Sequence, residues 1–172
     1  MVIFALALGF IGILVGSAVT ASQFAAPARI DRDKFGGLGS DHKHSAFLIV
    51  LDGKLIDFSQ SKYQVQSPYM HVENGDGTTL HRHSLFAPFG EFITSLKMDI
   101  KDGCFIMDDG TRYCNSSEKM LRFIVNGAEQ QSIMDYIPKD NDRILIHYGD
   151  TNDIDQISTE MKTLLSIPIG KN

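Results

Sequence analysis

An α+β domain carried behind an apolar N-terminal helix is the fold class this sequence predicts, and three observations predict it. Residues 2–21 are uncharged and mostly apolar, close to the ~20 residues a helix needs to cross a hydrocarbon core. Short runs of β-forming residues then alternate with Asp-Gly and Asn-Gly pairs, the signature of hairpins. Two later segments carry apolar residues at amphipathic-helix spacing. The chain of 172 residues is long enough for one core, and its 43% hydrophobic content favours a folded domain over disorder. A formal net charge of −5 with no clustered basic face argues against a nucleic-acid partner.

The elements follow in order. Residues 1–24 form the transmembrane anchor, with 2–21 as the apolar run; Gly9, Gly12 and Gly16 are tolerated in such a helix and permit close approach of a second one. The rival is a cleaved signal peptide, because Val19-Thr20-Ala21 fits a small-residue cleavage pattern, although the run is longer than the usual h-region. Residues 25–40 read as a flexible linker of Ala-Ala-Pro-Ala, mixed charges and Gly36-Gly37-Leu38-Gly39-Ser40. Residues 41–172 form the extracytoplasmic domain. Arg29, Arg32 and Lys34 follow the apolar run and no basic residue precedes it, a bias that by itself would place the domain inside the cell. A cysteine pair and the Asn115-Ser116-Ser117 glycosylation sequon point outward, and export is the expectation.

Within the domain, Ala46–Leu51 and Lys54–Phe58 flank Asp52-Gly53, and Tyr69–Glu73 and Thr78–His83 flank Asn74-Gly75-Asp76-Gly77. Phe89, Phe92, Ile93 and Leu96 define a short helix. Cys104–Met107 and Thr111–Cys114 surround a turn at Asp108-Asp109-Gly110; Leu121–Val125 ends at Asn126-Gly127; Arg143–Tyr148 is a late strand. Asp153–Leu165 places Ile154, Ile157, Met161, Leu164 and Leu165 on one helical face. Leu121–Gly127 followed by Tyr136–Ile146 resembles the closing part of β-grasp domains, implying a β-grasp-like arrangement of hairpins around one helix with a C-terminal helix added.

Cys104 and Cys114 are the only cysteines. A hairpin centred on Asp109 sets them face to face, close enough for a structural disulfide. A redox-active dithiol is the alternative, but the Cys-x-x-Cys spacing at a helix N-terminus that activates such thiols is missing.

Five of the six histidines fall between positions 42 and 83, as His42-Lys43-His44, His71-Val72-Glu73 and His81-Arg82-His83. Alternate residues of a strand share a face, so each trio presents two donors side by side. A five-residue loop after Glu73 pairs His71 with His81 and puts His71, Glu73, His81 and His83 on one face; a four-residue loop separates them. The alternative is a set of surface histidines bonded to each other and to the backbone. Imidazole suits Cu or Zn, and the candidate ligands are His42, His44, His71, His81 and His83, with Glu73 as a further ligand or as acceptor for a ring N–H. His147 reads as structural. No catalytic residue is assigned: a nucleophile elbow, a phosphate loop and a His-Glu-x-x-His motif are all missing from the sequence.

The combined pattern is His42-x-His44, Phe47–Leu51 with Asp52-Gly53-Lys54, Asp57-Phe58-Ser59-Gln60-x-x-Tyr63, Met70-His71-Val72-Glu73, Gly75-Asp76-Gly77 and His81-x-His83. Cys104, Cys114, Phe123-x-Val125-Asn126-Gly127 and Asp142-x-Ile144-Leu145-Ile146-x-Tyr148-Gly149 complete it. It resembles a small membrane-anchored extracytoplasmic family of ammonia-oxidising archaea whose members are often automatically named protein-disulfide isomerase; this chain departs from it in lacking a basic segment before the apolar run. The resemblance implies a single-pass membrane protein with its domain outside the cytoplasm. Three functions follow as expectations: a metal-binding domain, an isomerase-like thiol–disulfide oxidoreductase, and a non-enzymatic accessory subunit of a membrane or surface assembly.

Overall fold

The computed structural model describes residues 33–170, so the expected anchor and the first part of the expected linker lie outside it. Among the described residues no helix is long and apolar enough to cross a membrane. The architecture is α+β. The described residues form ten strands in chain order: β1 (Lys43–Leu51), β2 (Lys54–Leu55), β3 (Met70–His71), β4 (Thr79–Arg82), β5 (Asp99–Lys101), β6 (Cys104–Ile106), β7 (Arg112–Cys114), β8 (Lys119–Val125), β9 (Ala128–Gln130) and β10 (Arg143–Asp150). Helix α1 is Phe89–Ser95 and α2 is Ile154–Ser166.

The main sheet runs β3-β4-β1-β10-β8-β9, with β2 also paired to β1. Its two central strands, β1 and β10, are parallel, from Ala46 opposite Arg143 to Leu51 opposite Tyr148. The pairings that flank them are antiparallel. Tight turns set the hairpins. Asp52-Gly53 joins β1 to β2 with φ of 51° and 73°, the left-handed pair that a two-residue turn requires and that Asp and Gly tolerate best.

The continuous apolar run of β1 is explained by burial on both faces. Phe47, Ile49 and Leu51 belong to the larger core together with Phe89, Phe92 and Ile93 of α1. The Phe47 ring meets Phe92 at 5.1 Å and Phe58 at 5.4 Å, the spacings of favourable aromatic pairs. Ala46, Leu48 and Val50 point the other way and pack with Leu145 and Leu164, against Ile157 and Met161 of α2. The expected apolar face of α2 is therefore narrower than its sequence suggests: Ile154 is 73% and Leu165 61% exposed, because both lie at the margin of the contact with the sheet.

A separate three-stranded sheet, β5-β6-β7, carries the cysteines. Cys104 stands directly opposite Cys114, and the two are joined by a disulfide. The Tyr148 hydroxyl donates to the Cys114 carbonyl at 2.9 Å, tying this small sheet to β10. Part of the segment read as linker is bonded to the domain. The Gly39 amide donates to the His83 carbonyl at 2.7 Å, and the Ser84 hydroxyl donates to the Gly37 carbonyl at 2.9 Å.

Candidate metal centre

The histidine trios meet because β4 lies between β3 and β1. His81 is opposite His71 on one side and opposite His44 on the other, so three adjacent strands present three imidazoles in a row on one face. This is the register that the five-residue loop predicts. His44 shares its strand face with Ala46, Leu48 and Val50, so the row lies on the α2 side of the sheet, beside the helix. His42 lies one residue before β1, and His83 one residue after β4.

The five rings close into a circuit. Ring centroids lie 4.7 Å apart for His42–His44, 4.4 Å for His44–His81, 6.1 Å for His81–His71, 4.9 Å for His71–His83 and 4.8 Å for His83–His42. His42, His81 and His83 each offer one ligand atom within 4.8 Å of the others, a group that could hold a metal ion. His44 and His71 are buried, His81 and His83 half-buried and His42 exposed, so the cluster opens to solvent on the His42 side.

Backbone carbonyls fix two of the rings. His71 Nδ1 is 2.6 Å from the Ser67 carbonyl and His44 Nδ1 is 3.0 Å from the Gly170 carbonyl. A carbonyl only accepts, so both Nδ1 atoms carry protons, and a ring holding only that proton turns its Nε2 lone pair into the cluster. Metal-ligating histidines are commonly oriented in this way. His42 Nε2 lies 3.1 Å from His44 Nε2 and donates to it; a bound cation would take the place of that proton.

Two of the imidazoles, His81 and His83, are pushed toward their neutral form. Burial, followed by the neighbouring His71, His42 and His81 rings, pushes His83 down to about 4. Burial and His44 likewise lower His81. Burial acts to raise the Glu73 carboxyl, but His81, His71 and His83 together outweigh it and hold the group below its ordinary value. Glu73 is thus held as an anion beside the rings, with Oε2 3.3 Å from His71 Nε2 and Oε1 3.7 Å from His81 Nδ1.

Arg82, between the two β4 histidines in sequence, is a positioning residue that the sequence pattern did not single out. Its buried guanidinium donates to the carbonyls of Pro138, Ser84 and Leu85 at 2.9, 2.6 and 2.6 Å and to Asp41 Oδ2 at 2.7 Å. These bonds anchor the chain on both sides of the site, next to His42 and next to His83. The His44 amide donates to Asp140 Oδ1 at 3.0 Å, which fixes the start of β1 against the turn before β10.

The remaining candidate positions lie elsewhere. His147 is fully buried beneath α2, with Nδ1 2.8 Å from Glu160 Oε2 and Nε2 3.6 Å from Asp153 Oδ2. Gly149 makes room for this arrangement: a Cβ there would collide with the Asp153 carboxylate and lie 2.7 Å from His147 Nε2. Asn115 is exposed, and its Oδ1 accepts the Leu121 amide at 2.6 Å. No known protein family, curated protein or solved structure matches the chain.

Proposed function

We propose that this protein is a membrane-tethered extracytoplasmic domain that binds a Cu or Zn ion through paired strand histidines. The observation that carries the reading is the convergence of His42, His81 and His83, with ligand atoms within 4.8 Å of one another. Two orienting carbonyls and depressed imidazole pKa values support it, because a metal competes with protons for the same lone pairs. With no thiolate or thioether in the group, the donor set suits Zn or an all-nitrogen copper site. The tether at residues 2–21 and the location outside the cytoplasm rest on the apolar run, on the disulfide, which oxidising compartments favour, and on the resemblance to the archaeal family. The parallel pairing of first and last long strands favours a β-grasp-like reading of the fold.

Elemental analysis of the purified protein tests the metal assignment. Wild type is expected to retain Cu or Zn after dialysis, and the His81→Ala/His83→Ala double variant to lose it at equal yield. Metal-free wild type under loading conditions would end the proposal.

A thiol–disulfide oxidoreductase is the second reading, and one observation favours it. Arg112 Nη2 lies 3.5 Å from Cys104 Sγ, where it would stabilise a thiolate. The reduction potential decides: a value below about −300 mV marks a structural bond, and a much less negative one an exchanging pair.

A further inference from the structure

The proposed metal site leaves part of its donor set unused. A Zn or Cu ion bound by His42, His81 and His83 has need of at most one or two more ligands, whereas the cluster also contains His44, His71 and Glu73. On the far side of His81 from His44, the Glu73 carboxylate spans two rings, with one oxygen 3.3 Å from His71 Nε2 and the other 3.7 Å from His81 Nδ1.

Only the first contact is within hydrogen-bond reach. His71 Nδ1 donates to the Ser67 carbonyl, so Nε2 and the carboxylate oxygen are held together only by a shared cation, either a second ring proton or a metal ion. His81 Nδ1 is buried with no hydrogen-bond partner at all. The 3.3 Å separation matches two donors of one tetrahedral ion, which at about 2.0–2.1 Å from the metal stand roughly 3.3–3.4 Å apart, and the 3.7 Å separation is slightly longer.

We infer that the cluster holds two metal ions, the second between His71 Nε2, Glu73 and His81 Nδ1. This rests on the proposed metal-binding function and extends it from one ion to a pair. An imidazole has two ring nitrogens, so His81 can serve both ions, one through each; doing so releases its remaining ring proton to solvent. Glu73 supplies the one negative charge in the donor set and offsets part of the repulsion between neighbouring cations.

Metal stoichiometry separates the outcomes. The full chain in detergent is loaded with Cu(II) or with Zn(II) in separate experiments, freed of excess ion, and measured by elemental analysis and native mass spectrometry. Two equivalents per chain are expected for wild type and one for Glu73→Gln, with circular dichroism and the thermal midpoint confirming that the variant is folded. His71→Ala, which leaves the carboxylate in place, is expected to match it. One equivalent in wild type would overturn the second ion while leaving the proposed function standing, and none would overturn both. Two equivalents retained by Glu73→Gln, or loss of both from the folded variant, would also overturn the inference, since either result separates the second ion from its assigned ligand.

Discussion

His147 and the five clustered histidines occupy the same face of the same sheet, yet their surroundings differ in kind. Helix α2 lies over His147 and supplies Glu160 to one ring nitrogen, with Asp153 near the other. Beyond the helix, the rings from β3, β4 and β1 have mostly one another, two backbone carbonyls and a single carboxylate. A buried imidazole hydrogen-bonded to a helix carboxylate is an element that fixes a helix to a sheet. Several imidazoles with lone pairs turned toward each other are a donor set. The contrast lies in what covers each histidine, and residue type alone does not reveal it.

The largest expected effect breaks the second half of that comparison. His81→Ala/His83→Ala removes ligands outright, so metal affinity should fall by more than the roughly 10–100-fold typical of losing an outer partner; competition against a chelator of known affinity checks it. His147→Ala should leave the metal content unchanged.

The next effect breaks the first half. Glu160 is 11% exposed at its side chain and pairs with a fully buried ring. Its replacement by Ala should cost about 1–3 kcal/mol in denaturant unfolding, because a buried ring nitrogen loses its hydrogen-bond partner inside the fold. Metal stoichiometry should not move.

Much of this arrangement was legible in sequence. Asp52-Gly53 and Asn126-Gly127 marked hairpins that the backbone confirms with positive φ at all four residues, and the disulfide followed from the spacing across Asp109-Gly110. The register of His71 against His81 followed from loop parity. Strand β5 was missed although Asp102-Gly103 forms the same kind of turn, because Asp99-Ile100-Lys101 is too short and polar to announce a strand. The placement of β4 against β1 is a long-range choice that no local pattern encodes, and it alone brings His44 opposite His81. The Gly170 carbonyl reaches His44 from 126 residues away. Arg82 was hidden for a related reason: its partners, Asp41, Ser84, Leu85 and Pro138, come from three separated stretches of chain.

Smaller effects sharpen the picture. Reducing the Cys104–Cys114 bond should lower stability by roughly 2–3 kcal/mol, as expected for closing so short a loop, and should leave the histidine cluster loaded. An equilibrium unfolding curve with and without reductant measures this. The smallest effect concerns pH in metal-free protein. His83 falls from an ordinary value of 6.5 to about 4 in the fold, so between those values the unfolded chain binds more protons than the folded one. Stability is then full above about 6.5 and declines as pH falls toward 4. The thermal midpoint should drop across that window, and His83→Ala should flatten the slope.

The central claim is that imidazole nitrogens, and no sulfur, hold the metal. X-ray absorption on the Cu- or Zn-loaded protein tests it most directly. A histidine site gives nitrogen or oxygen neighbours at about 2.0–2.1 Å with the outer-shell scattering of several imidazole rings, whereas a sulfur shell near 2.3 Å, or a spectrum without imidazole scattering, would contradict it.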